Sequence, residues 1–425
     1  MRQRLPGGPI DPLTALARLA DVATLLLLDG GPGGWSYLAW DCPVQPLRGL
    51  DDLPQIKQGT ARSGAAPGWP AGIDGGALIQ LDYEFPVGPW ALYRDDGSVH
   101  GRCWRMERFL AWDPQGGCSL HGPDAATMAA DVARLQRTAP GVPPPCVRAT
   151  PRPAWDAAGH VRRVDAITAA IAAGTIYQAN LTLPFQAELH PGPHRDLAVF
   201  SALRRRAPGC YGALLRHGGC TVISHSPECF LRSDGRDCCS EPIKGTRRRE
   251  PGREAAVRAQ LLAAAKDNAE LAMIVDLVRN DLGRVAVPGG VAVAAPATVI
   301  DLSYVHHLVA TVTARLHATV GHADLLAAAF PAGSITGAPK IAAMELIREL
   351  ESGPRGAYCG CFGWLGAHGA CELAVAIRTM VVRGNSVRFD AGGGIVVDSG
   401  GADEWQEVLA KIGPMAAALT SGACA

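Results

Sequence analysis

Apolar positions along this 425-residue chain fall into two patterns, short continuous or alternating runs and longer runs with helical spacing. Leu25 to Leu28 is an unbroken apolar run, too short for a helix of its own, and predicts a strand buried on both faces. Before it, Leu13, Leu16, Leu19 and Val22 recur every third residue and predict a helix over Pro12 to Ala23. Short β-like runs follow at Ala77–Leu81, Trp90–Tyr93 and Cys103–Trp112. Residues 154–174 carry a helical pattern closed by Gly174, and Thr175 to Thr182 alternates as a strand does. Then come a helix near 194–206, strands near 211–216, 220–225 and 228–233, and the longest helical pattern, 254–281, with Leu271, Val275, Val278 and Leu282 on one stripe. Strands near 291–300 and 304–316 precede a helix near 322–330 and another with Ile341, Met344, Ile347 and Leu350 on one face. Three β segments (357–366, 369–382 and 386–391) run up to Gly392-Gly393-Gly394, which suits either a tight turn or a backbone close to an anion, and a final helix covers about 404–419. Strands in groups with helices between them argue an α+β fold with large, mainly antiparallel sheets, not a βαβ array.

Composition narrows this picture. The length suits two or three lobes or one large two-layer body. Prolines from Pro140 to Pro153 divide an N-terminal region, 1–140, from a region 154–420 by a linker, 141–153, while the Gly, Ala and Pro-rich 55–75 reads as loop. Forty basic and forty acidic residues give no net charge, so nothing draws the chain to nucleic acid or to an anionic membrane. No run approaches the ~20 apolar residues that span a bilayer, and no secretory leader is visible. The 13 cysteines are scattered, with no CxxC pair and no zinc spacing, which points to a reducing cytoplasm.

Candidate chemistry centres on Pro242-Ile243-Lys244-Gly245-Thr246-Arg247-Arg248-Arg249. A reactive lysine needs its pKa lowered by burial or by a neighbouring cation. On this stretch alone a solvated basic loop competes with that reading. Glu228, in Ser226-Pro227-Glu228, is placed to act as a general acid or to be a plain surface residue. Glu404, Glu407 and Lys411 share one stripe of the last helix, which an Asp403/Gln406 capping box would start. Glu270 has apolar neighbours on its side of a helix, and two glutamates from separate helices would suit Mg²⁺. Gly333 to Lys340 is not a phosphate loop, but Pro339 opens a helix whose amides can hold a carboxylate, and the Gly392–Gly394 amides can approach an anion. Arg378 would be costly to bury without an anion, which Tyr358 could share. There is no GxSxG, HExxH or GxCxG, so any ammonia from glutamine would come from another chain.

These stretches, taken in order, resemble the chorismate-utilising enzyme family over roughly 155–415. The motifs are Ile176 to Thr182, Ser226-Pro227-Glu228, Pro242 to Thr246, Asn268-Ala269-Glu270 with Val275 to Asp281, Ser334 to Lys340, Arg355 to Tyr358, and Gly392 to Val396 with Asp398-Ser399. The resemblance implies one large two-layer antiparallel β-sandwich with helices packed outside. Relatives that use water resemble each other in placing a lysine where this chain has Gln178, and anthranilate synthases carry an alanine-like residue where it has Lys244. The Pro-Ile-Lys-Gly-Thr form is similar to the large-subunit branch that makes aminodeoxychorismate for the para-aminobenzoate route to folate. By resemblance, Lys244 attacks C2 of chorismate, Glu228 serves the departing C4 hydroxyl, and a glutamine amidotransferase subunit supplies ammonia. Glu270 and Glu407, with Glu404 close by, match Mg²⁺ ligands. Arg378, Tyr358 and the Gly393 amide match groups that hold the enolpyruvyl carboxylate, and Gly394, Ser334, His307 and Lys411 match other substrate contacts. Trp35-Ser36-Tyr37-Leu38 is similar to a segment that lines a tryptophan pocket in some relatives, although Gly30 stands in place of a common serine. No lyase segment follows residue 420, so free para-aminobenzoate is not an expected product.

Overall fold

The computed structural model describes residues 1–5, 8–31, 34–54, 76–87, 99–142, 145, 147–148, 150–206, 209–302 and 305–420. The expected loop over 55–75 and the expected strand Trp90–Tyr93 lie outside them. Among the described residues, two large sheets, of 12 and 10 strands, form the body, and every strand pair in them is antiparallel. Each sheet mixes strands from early and late in the sequence: Leu25–Asp29 pairs with Tyr211–His217, and Ala77–Leu81 pairs with Cys361–Leu365.

Three apolar layers explain why so many strands are apolar on both sides. Leu25 and Leu27 join a cluster with the helices Pro12–Arg18, Ala125–Leu135, Arg195–Arg206 and Gly401–Leu419 outside the larger sheet. Leu26 and Leu28 point the other way, into a layer shared with Leu78, Trp104, Phe362 and Trp364 of the smaller sheet. That shared layer makes the two sheets a sandwich, with side chains from both inner faces filling it. On the outer face of the smaller sheet, Leu271, Ile274, Val275 and Val278 of helix Ala265–Gly283 pack with Leu325 and Leu326 of helix His322–Ala329.

Several boundaries differ from the sequence pattern. The 254–281 helix is two, Glu254–Ala263 and Ala265–Gly283, broken at Ala264, where the Asn268 side chain takes the Leu262 and Ala264 carbonyls. The first helix stops at Arg18. The run 103–112 splits into Gly101–Arg105 and Phe109–Trp112. The glycine triplet is not a turn: it lies inside strand Ser386–Ile395, paired with Leu181 and its neighbours in Gln178–Glu188. The last helix starts after Gly400, so Asp403 sits in its first turn and does not cap it. No helix among the described residues is long and apolar enough to cross a membrane.

Candidate active site

Lys244 lies on strand Ile243–Arg248, where a bulge between Ile243 and Thr246 breaks the register with strand Val305–Leu316. Gly245 occupies the left-handed region at φ +77°, and an added Cβ there would press on Asp267 and Leu261. The extra residue turns the lysine inward, where its ammonium donates to the Ser334 carbonyl at 3.4 Å. Burial first, and then the Lys411 ammonium, lower the Lys244 pKa, against the pull of Glu270, Glu228 and Glu407.

Glu228 sits at the start of strand Cys229–Asp234, only 4% exposed. Burial raises its pKa to about 7, although the Ser334 hydroxyl, Lys244 and the Ile243 amide favour the carboxylate. Ser334 is thus at the centre of the pair: its hydroxyl donates to Glu228 and its carbonyl accepts from Lys244. It is held in a short 3₁₀ turn, Gly333–Ile335.

Arg378 sits between two strands in the left-handed region, φ +50°, an uncommon conformation for a non-glycine residue. Its guanidinium contacts the His307 Nε2 at 3.3 Å, and the His307 Nδ1 meets the Thr246 hydroxyl at 2.8 Å. Since arginine can only donate, Nε2 accepts and Nδ1 carries the proton. Burial first, then Arg378, push the His307 pKa down to about 3, so the ring is neutral at physiological pH. Tyr358 is buried, which pushes its phenol pKa up, and the ionisable groups acting on it are Cys359, Asp390, Arg355 and Glu351.

The glycine triplet brings the carboxylates to the lysine. A Cβ on Gly394 would lie 3.1 Å from the Lys244 Nζ and 2.5 Å from the Gln178 Nε2; one on Gly393 would lie 3.1 Å from Glu404 and 3.4 Å from Glu407. Only a stretch of strand free of side chains lets these groups come so close. Lys411 donates to the Gly392 carbonyl at 2.8 Å and pairs with Glu407 at 2.6 Å, which lowers the Glu407 pKa. Burial raises the Glu404 and Glu270 pKa values, and the Glu407 charge adds to both. Ser399 donates to Glu404 at 2.7 Å, and Lys266 stands 3.8 Å from it.

Sequence motifs far apart therefore do converge: Lys244, Glu228 and Ser334 form one cluster, Arg378 and His307 a second, and Glu404, Glu407, Lys411, Gly393 and Gly394 a third, with Glu270 coupled electrostatically to Lys244. Among the described residues no three His, Cys, Asp or Glu side chains close on one point as a metal site. The donor chemistry nevertheless fits Mg²⁺. Three carboxylates, two of them raised by burial and then by a like neighbour, with Lys411 and Lys266 beside them, are the hard oxygen donors that such an ion takes sparingly while keeping its waters. Gln178, considered above only as a bar to water, proves to be a wall of the site, fully buried with no partner for either amide atom. Thr246 was missed as the histidine's partner, although it stands inside the lysine motif. Trp35 lies parallel to Tyr37 at 6.3 Å, and Ser36 donates to Asp29 at 3.3 Å.

Residues 83–417, which contain the three clusters and Glu270, match the chorismate binding enzyme family. The chain belongs to that family. Among chorismate binding relatives, an aminodeoxychorismate synthase of Streptomyces griseus is 41% identical over 334 residues, 76% of this chain and 43% of that protein. The chain thus spans less than half the length of that relative. Anthranilate synthase component 1 of Streptomyces coelicolor is 35% identical over 456 residues, 99% of this chain and 88% of that one. The solved structure of anthranilate synthase component I from Streptococcus pneumoniae TIGR4 superposes with a TM-score of 0.77 at 26% identity, covering 97% of this chain and 99% of that one.

Proposed function

We propose that the chain is the chorismate-aminating component of an aminodeoxychorismate synthase, which makes 4-amino-4-deoxychorismate and water from chorismate and ammonia. The observation that carries this reading is Lys244, a lysine with a lowered pKa held beside a glutamic acid whose pKa is raised to about 7. Such a pair biases the amine toward its free lone pair and the carboxyl toward its protonated form, the complementary bias that nucleophilic displacement needs.

The Lys244 amine adds to C2 of chorismate. The two ring double bonds shift, and the C4 hydroxyl leaves as water with a proton from Glu228. Ammonia then adds at C4, the double bonds shift back, and the C2–N bond to Lys244 breaks, returning the amine. Ser334 keeps both reacting side chains in reach of one face of the ring. Arg378, with neutral His307 behind it, supplies the fixed cation for the enolpyruvyl carboxylate, and the Gly393 and Gly394 backbone admits the ring beside the lysine. Glu270, Glu404 and Glu407 would hold Mg²⁺, which when bound neutralises and orients the ring carboxylate. Ammonia would come from a glutamine amidotransferase partner, and the work would be done in the cytoplasm for para-aminobenzoate and folate synthesis. The free thiols of the described cysteines suit that compartment.

A second reading, anthranilate synthase component I, is favoured by the relative that aligns over almost the whole chain. Lys244, where that branch carries an alanine-like residue, weighs against it. Incubation with chorismate, ammonium and Mg²⁺, with products separated by mass, decides between them. Aminodeoxychorismate is expected, whereas anthranilate with pyruvate would overturn the proposal.

A further inference from the structure

Arg355 lies outside the reacting groups, yet it touches the backbone of two segments that carry them. Its side chain is buried, and four of its five N–H groups donate. Nε and Nη2 form a bidentate pair with Glu351 at 2.9 and 2.7 Å. Nη1 reaches the Ile335 carbonyl at 2.7 Å and Nη2 the Asn180 carbonyl at 2.6 Å. The Glu351 carboxylate in turn accepts from the Thr182 amide at 2.8 Å. Ile335 adjoins Ser334, which bonds both Glu228 and Lys244. Asn180 pairs with Gly394 in the sheet, and Thr182 pairs with Gly392.

A corner from the early part of the chain holds the arginine from the other side. The Glu84 carboxylate accepts from the Arg355 amide at 2.7 Å and from the Gly356 amide at 3.0 Å, and the guanidinium lies over the Tyr83 ring at 4.5 Å. Such a planar fork cannot be replaced by a lysine, which is a point charge with no fixed donor directions.

We propose that Arg355, seated on Tyr83 and Glu84, is a positioning residue for the amination, fixing the Ser334 turn against the Gly394 strand so that Glu228 and Lys244 face one substrate. This rests on the amination reading above. A brace that served stability alone would leave the reacting groups of each folded molecule unchanged. A positioning brace makes a different prediction, because the Ser334 hydroxyl holds the Glu228 pKa down. Loosening the turn weakens that bond and moves the alkaline limb of the rate profile to higher pH.

The test measures chorismate consumption with ammonium and Mg²⁺ across pH for the parent, Arg355→Lys, Tyr83→Leu and Glu84→Gln, using only protein that melts cooperatively. Product identity in the parent judges the amination separately, so either idea can fail without the other. For Arg355→Lys we expect kcat to fall about 10- to 100-fold with KM within about threefold, as for a displaced catalytic group, and the alkaline limb to shift upward. Should Arg355→Lys not fold, the two milder variants carry the test, with severalfold losses in kcat and the same upward shift. Folded variants that melt at lower temperature but keep the parent's kcat and pH profile would overturn the proposal.

Discussion

Two lysine–glutamate pairs in this molecule have the same chemical parts and opposite environments. Lys244 and Glu228 are drawn toward their neutral forms by burial, with Glu228 at about 7. Lys411 and Glu407, one helical turn apart and about half exposed, pair at 2.6 Å, and the lysine holds the Glu407 pKa down. Solvent makes the difference, because burial penalises charge and water does not. The first pair is therefore suited to exchanging protons and making bonds, and the second to presenting fixed charge at the rim. The glycine strand lies between them, Gly394 against Lys244 and Gly393 against Glu407 and Lys411.

The contrast breaks most sharply at the lysine. Lys244→Ala should lose at least about 10³-fold in kcat for amination, as removal of a nucleophile does, and intact-mass spectra should show the chorismate-derived adduct disappear. A variant that keeps its rate with ammonia would put the lysine outside the chemistry.

Glu228→Gln comes next, with an expected loss of about 10²- to 10⁴-fold in kcat, the range for one acid–base group. In the parent, the rate should fall above about pH 7 as Glu228 ionises, and the variant should lose that limb. Stability should move the other way. A carboxyl raised from 4.5 to about 7 destabilises the fold as pH rises through that window, since the unfolded chain ionises first. At pH 8 the variant should be more stable than the parent by up to roughly 3 kcal/mol, with little difference at pH 4, when both are compared by denaturant melts. A parent whose stability is flat between pH 5 and 8 would show that Glu228 is not held protonated.

Gly394→Ala should cost about 10- to 100-fold, because a methyl group 3.1 Å from the Lys244 Nζ and 2.5 Å from the Gln178 amide must displace one of them. Unchanged turnover would mean that the site has slack the geometry does not suggest.

What was legible in the sequence follows from how local each cause is. Leu25–Leu28 declared a strand buried on both faces because every residue had to be apolar, and the structure sends alternate leucines into two different layers. The glycine triplet leaves a turn and an anion-facing backbone both open, because composition reports only what glycine permits. Its place in a strand is set by pairing with Leu181, more than 200 residues away. Likewise the break at Ala264, where one asparagine side chain donates to the Leu262 and Ala264 carbonyls, leaves hydrophobic periodicity undisturbed. For the site, several motifs in family order named the residues, but not their protonation. Nothing beside Glu228 in sequence says that it is buried, or that Ser334, 106 residues later, will share it with Lys244. Arg355 is the extreme case, with partners 175 residues away at Asn180 and 271 away at Glu84.

Lys411→Ala tests the exposed half of the contrast and should have the smallest effect. An i,i+4 pair on a helix surface contributes about 0.3–0.5 kcal/mol, so the melting temperature should hardly change. Removing the ammonium lets the Glu407 pKa rise toward its ordinary value and adds negative charge near where an anionic substrate would bind. KM for chorismate should therefore increase severalfold at low salt, and the increase should shrink at high salt as the rim charge is screened. kcat should stay within about threefold, since no proton or bond passes through Lys411. A collapse of kcat comparable to that of Lys244→Ala would mean that the exposed pair, too, takes part in the chemistry, and that burial does not divide the roles.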